Sequence, residues 1–188
     1  MRIVFLLLIV LVSGSLQGCF PVAAVGVGAG VMMVQDRRTS GAYVEDEAIE
    51  DKASDRIGKQ YKNAVHANVT SFNRIVLISG EAPNDAVKAE IGRLVSSIEN
   101  VRNVSNELVV SGTSSLTSRS SDSLVTSDVK LRFMSDKRFN AEHVKVVTEN
   151  GTVFLMGIVK RAEADAATEV ASTTSGVQRV VRLFEYLD

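Results

Sequence analysis

The spacing of apolar positions changes several times along the chain, and each change marks an element. Behind Arg2, residues 3–12 are unbroken in their apolar character, a run too short for a bilayer-spanning helix, which needs about 20 residues. From Asp46 the period becomes helical: Ile49, Ala53, Ile57 and Tyr61 recur every four residues, with Glu50, Asp51, Lys52, Asp55, Arg56 and Lys59 elsewhere around the helix. Glu45, Asp46 and Glu47 lie at the expected helix start, where they complement its dipole. Alternation through Val65, Ala67 and Val69 then predicts the first of two strands within residues 64–82, joined by a turn near Phe72 to Arg74. Pro83, Asn84 and Asp85 suit a helix start, and Val87, Ile91, Leu94, Val95 and Ile98 give that helix its apolar face. A third strand is expected through Val101, Val104, Leu108, Val109 and Val110.

Beyond a serine-rich stretch at 111–123, the same order of elements returns. The pattern predicts a helix over 123–136, a hairpin over 144–157 on an Asn150-Gly151 turn, a helix over 162–176 and a strand over 177–187. Gly80 and Gly157 are 77 residues apart, as are Val69 and Val146, while Val104 and Val180 are 76 apart. This period is far longer than that of a solenoid, so the chain contains two copies of a small domain. The expected fold class is α+β: two tandem αββαβ domains, each a small three-stranded sheet with two helices packed on one face. A copy of about 65 to 70 residues is marginally stable alone. Its second sheet face must be covered or kept polar, and packing the copies together would help.

The leader ends in Leu16-Gln17-Gly18-Cys19, which holds the one cysteine of the chain. A charged start, an apolar stretch and a small residue in that order mark a secretory signal. With cysteine directly after the small residue, the segment resembles the lipobox of bacterial lipoproteins. That resemblance implies diacylglycerol on the Cys19 thiol, cleavage before Cys19 and acylation of the new amino group. The expected organisation is a lipoprotein signal peptide at 1–18, lipidated Cys19 with a membrane-proximal tether at 19–45, domains at 46–111 and 123–188, and a linker at 112–122. Within the tether, GVGAG at 26–30 lacks the Lys-Ser/Thr and strand-turn-helix context of a phosphate loop. Arg37 and Arg38 suit either anionic headgroups or plain solvent.

Two αββαβ units behind a lipobox resemble the BON domain pair of the dual BON-domain lipoproteins of Gram-negative outer membranes. The resemblance rests on residues 76–82 with 99–110, on 153–159 with 175–187, and on DRRTSG before the first unit. It implies that Gly80 and Gly157 are the family's structural strand glycines. It also implies an outer-membrane, lipid-anchored protein on the periplasmic face that supports envelope integrity and binds anionic phospholipid. Phe20, rather than Asp, after the cysteine agrees with transport onward to the outer membrane.

Composition narrows the chemistry. Lys and Arg number 21 against 22 Asp and Glu, and a nucleic-acid binder would usually be strongly basic. Lipid on Cys19 leaves no thiol for a disulfide. With no Trp, three Tyr and seven Phe, the core must come mainly from Val, Leu, Ile and Ala. His66 and His143 are 77 residues apart, a repeated position on a polar strand face rather than a converging pair. With no metal-ligand cluster and no nucleophile elbow, the expectation is a non-enzyme without cofactor or metal.

Function should lie where the copies differ, and the first helices differ most. In the second copy Val125, Val129 and Phe133 form the core stripe, while Leu124, Leu131 and Met134 form another on roughly the opposite side. Lys130 borders it, with Lys137 and Arg138 just beyond. An apolar ridge edged with cations suits an anionic membrane surface, so Leu124, Lys130, Leu131, Met134 and Arg138 are the candidate phospholipid-binding residues. The alternative is that Leu124, Leu131 and Met134 pack against the first domain, leaving a protein-binding scaffold for outer-membrane assembly or cell-wall remodelling proteins.

Overall fold

A computed structural model describes residues 36–112 and 116–188; Cys19, the leader and most of the tether lie outside the described residues. Asp36–Asp188 form one compact unit. Helix α1 spans Ser40–Tyr61, β1 His66–Phe72, β2 Ile75–Ala82, α2 Asp85–Ser96, β3 Asn103–Asn106 and β4 Val109–Val110. The second copy follows with α3 Leu116–Ser135, β5 Val144–Glu149, β6 Thr152–Val159, α4 Arg161–Ser172 and β7 Arg179–Tyr186. One-turn 3₁₀ helices, Lys62–Ala64 and Ala141–His143, precede the first strand of each copy. The α+β class and its duplication therefore stand.

Both first helices begin earlier than their patterns suggest. The Thr39 hydroxyl accepts from the Ala42 N–H and caps α1 at Ser40, so the helix starts inside the expected tether. The acidic trio then falls in the second turn, too far in to complement the dipole. Helix α3 starts at Leu116, inside the serine-rich stretch expected as the 112–122 linker. Serine competes with helix by bonding nearby backbone; here Ser123 and Ser127 donate to the carbonyls of Arg119 and Ser123 instead, which helix accommodates.

In each sheet the middle strand pairs antiparallel with its hairpin partner and parallel with the last strand. The pairing β6 to β7 is continuous from Thr152 with Arg179 to Val159 with Tyr186. The equivalent edge of the first sheet is broken into β3 and β4, because Glu107 and Leu108 lie opposite Ser79 and Gly80, and Gly80 has φ +115°. The parallel ladder is interrupted there, while β2 itself runs on and stays paired with β1 through Gly80 and Glu81.

Alternation gives β2 and β6 two buried faces. Val76, Ile78 and Ala82 meet Ile49, Ala53, Ile57, Ile91 and Val95 of the helices in one core, and Val153, Leu155 and Val159 do the same in the second copy. The opposite faces meet each other: Phe72 and Leu77 of the first sheet pack on Phe154 and Met156 of the second, flanked by Ile75, Val147, Ile158, Val181 and Leu183. The two domains are thus joined sheet to sheet, which covers the face that neither could leave exposed.

Candidate functional site

The repeated glycines are steric necessities. A Cβ on Gly80 would collide with the His66 carbonyl oxygen, and one on Gly157 with the His143 carbonyl oxygen. Duplication thus preserves a close backbone approach, with the histidines contributing main chain to it. A second repeated device was not anticipated. Buried Asp46 accepts from the backbone N–H groups of Asn73 and Arg74 at 2.8 and 2.7 Å, and Asp122 from those of Asn150 and Gly151, both at 2.9 Å. All four turn residues have positive φ, as a two-residue hairpin of this hand requires. Each helical aspartate holds its own domain's hairpin, and its signal was present in the sequence as a charge three residues before the core stripe of both first helices.

Four of the candidate lipid-binding residues, Leu124, Lys130, Leu131 and Met134, lie on α3, and Arg138 follows just beyond its end. Val125, Val129 and Phe133 are buried in the second core, whereas Leu124, Leu131 and Met134 are 69%, 64% and 75% exposed. The ridge does not pack against the first domain. Lys130 is exposed and forms no ion pair among the described residues, and Lys137 likewise. Asp128 is exposed four residues beyond Leu124. Arg138 differs from expectation in its engagement: its guanidinium bonds Asp136 and reaches Glu169 at 2.7 Å. Those bonds, first to Asp136 and then to Glu169, raise its pKa further.

The tether arginines do not stand free in solvent but are held by carboxylates of the folded part. Arg37 grips Glu163 at the start of α4 with two nitrogens, at 2.6 and 2.9 Å, and donates to the Ile158 carbonyl. Arg38 bonds Asp36 and Asp46, and its guanidinium lies over the rings of Phe72 and Tyr43. Asp36-Arg37-Arg38 is therefore a clasp: Arg38 fastens to the first domain and Arg37 to the second. The Arg37 hydrogen bond, opposed by desolvation and aided by the Lys160 N–H, lowers the Glu163 pKa to about 2.

Further polar bonds ring the sheet-to-sheet contact. Lys145 pairs with Glu50 at 3.0 Å and Arg102 with Glu185 at 2.6 Å, while Asn68 bonds Glu149 and Asn150 bonds the buried Glu81. The expected surface histidines are partly enclosed: His66 stands 4.0 Å from Glu149, and His143 closes a 3₁₀ turn with its Nδ1 buried and unbonded. Among the described residues, no group of three or more His, Cys, Asp and Glu side chains is placed to hold a metal ion. No described helix is long and apolar enough to cross a membrane.

Comparison with known proteins matches residues 45–112 and 121–188 each to the BON domain. The chain is 39% identical over 175 residues to the outer membrane lipoprotein DolP of Haemophilus influenzae, covering 92% of this chain and 91% of that protein. It is 34% identical to a 21 kDa hemolysin of Actinobacillus pleuropneumoniae, covering 81% and 79%. It is 28% identical to the osmotically-inducible protein Y of Escherichia coli, covering 74% and 72%.

Proposed function

Since the chain belongs to the BON-domain family through both of its copies, we propose that it is an outer-membrane lipoprotein on the periplasmic face that supports envelope integrity by binding anionic phospholipid through α3. The observation that carries the reading is the exposure of Leu124, Leu131 and Met134 on a helix whose opposite stripe fills the core. Three large apolar side chains along one exposed helix face favour an apolar partner. Lys130 and Lys137 beside them favour an anionic one, since their ammonium groups can stay at headgroup level while the ridge dips below. Arg138 contributes less, being already paired with two carboxylates.

Anchorage is assigned to Cys19, supported by the lipobox and by the likeness to an outer membrane lipoprotein. The protein acts by binding rather than by catalysis, which is supported by histidines that lie apart, one against Glu149 and one in the second domain's 3₁₀ turn.

Cosedimentation of the Asp36–Asp188 unit with vesicles tests the lipid reading: it should pellet with phosphatidylglycerol vesicles and stay soluble with phosphatidylcholine vesicles. Indifference to both would favour a protein-binding scaffold instead. For the anchor, Cys19→Ala should abolish incorporation of radioactive fatty acid, and undiminished label would refute it.

A further inference from the structure

At the C-terminal end of α3 the surface falls into a cleft of about 540 Å³, within the range that accommodates small organic ligands. Phe133, Phe139 and Val144 line it with buried apolar groups, and the two rings meet edge to face at 5.0 Å between centroids. Met134 and Lys130, one helical turn apart on α3, line one side, and Ala141 of the 3₁₀ turn lines the other. Met134 is also the last residue of the exposed ridge, so cleft and ridge are continuous.

We propose that this cleft receives one acyl chain of an anionic phospholipid, with the Lys130 ammonium meeting its phosphate. The inference rests on the lipid-binding reading of α3 and adds to it a site for a single lipid molecule. Aromatic and aliphatic walls offer nothing to a headgroup and much to a hydrocarbon chain. The polar groups are placed accordingly. Lys130 is exposed, has no carboxylate partner among the described residues and is available to an anion. Asp136 is occupied by Arg138 through both oxygens. Glu142, exposed on the 3₁₀ turn, repels phosphate from that side and leaves the Lys130 side as its place. A ridge alone would treat the membrane as a surface, whereas the cleft draws one chain out of register with its neighbours and holds it.

The test uses the Asp36–Asp188 unit and lysophosphatidylglycerol below its critical micelle concentration, with a nitroxide near the chain terminus. The nitroxide should broaden NMR signals of Ala141, Val144 and Phe139 in the unaltered protein. Ala141→Phe, which fills the cleft, should weaken binding of this lipid at least tenfold at an unchanged thermal midpoint, and Lys130→Glu should weaken it as well. The map on the unaltered protein decides even where Ala141→Phe fails to fold. Broadening confined to Leu124 and Leu131 would overturn the proposal, as would equally tight binding of lysophosphatidylcholine. Concentration-dependent broadening at Ala141 without lipid, and none with it, would overturn it in favour of self-association. If phosphatidylglycerol vesicles bind while the cleft stays silent, this inference alone fails. If the cleft takes the single-chain lipid while vesicles do not bind, the membrane-surface reading fails and the cleft stands.

Discussion

Gly80 and Gly157 are the same residue at the same place in two copies, yet they are not under the same constraint. Both face a carbonyl oxygen that leaves no room for Cβ, but only Gly80 has φ +115°, a conformation that side chains disfavour. Valine at either position overpacks a sheet against backbone that cannot yield, a cost of about 1 to 3 kcal/mol, and at Gly80 backbone strain is added. Urea midpoints should therefore fall in both variants and further in Gly80→Val; equal or unchanged midpoints would show the backbone to have more freedom than its geometry implies. The spacing of 77 residues made these glycines legible. Asp46 read as a charge complementing the helix dipole and Asp122 as an ordinary solvated one, and only the fold shows each meeting two backbone N–H groups of a distant turn.

At the scale of elements, α1 and α3 occupy equivalent places and have different outer faces. Helix α1 turns Glu47, Asp51 and Asp55 outward, whereas α3 turns out Leu124, Leu131 and Met134. Replacing Leu124 or Leu131 with Asp removes an apolar side chain worth about 1.5 to 3 kcal/mol when buried, which is about tenfold or more in affinity. Vesicle binding should fall by at least that factor while the thermal midpoint holds. Val129→Asp puts a charge in the second core and should unfold the domain. If Leu131→Asp leaves binding intact, α3 is not the membrane surface. The two stripes could be separated in the sequence because helical periodicity sorts positions by angle. Whether the second stripe stayed exposed or packed on the first domain could not be read there, since an apolar ridge serves a sister domain as well as it serves a membrane.

For the molecule as a whole, the sheet-to-sheet contact and the Arg37–Glu163 grip join the two domains. The Glu163 pKa, lowered to about 2 from an ordinary 4.5, gives the grip a pH dependence of definite sign. A carboxyl with a depressed folded-state pKa contributes stability that is fully present above its unfolded value and is lost as pH falls through the folded one. Glu163→Gln should therefore be less stable than the unaltered protein above pH 4.5, and the gap in urea midpoints should close as pH approaches about 2. A gap independent of pH would mean that Glu163 acts through packing rather than charge.

The sequence by itself determined the duplication, the order αββαβ, both hairpins and the core stripes of α1, α2 and α3. Those depend on local periodicity and turn chemistry, which neighbouring residues express without help. Only the tertiary structure decided how the copies meet, where the first helices begin and what holds the tether. The second faces of β2 and β6 are apolar in any arrangement, and nothing local says that Phe72 and Leu77 will find Phe154 and Met156. Arg37 and Glu163 are far apart in sequence, so their bond exists only once both domains have folded and their sheets have closed on each other.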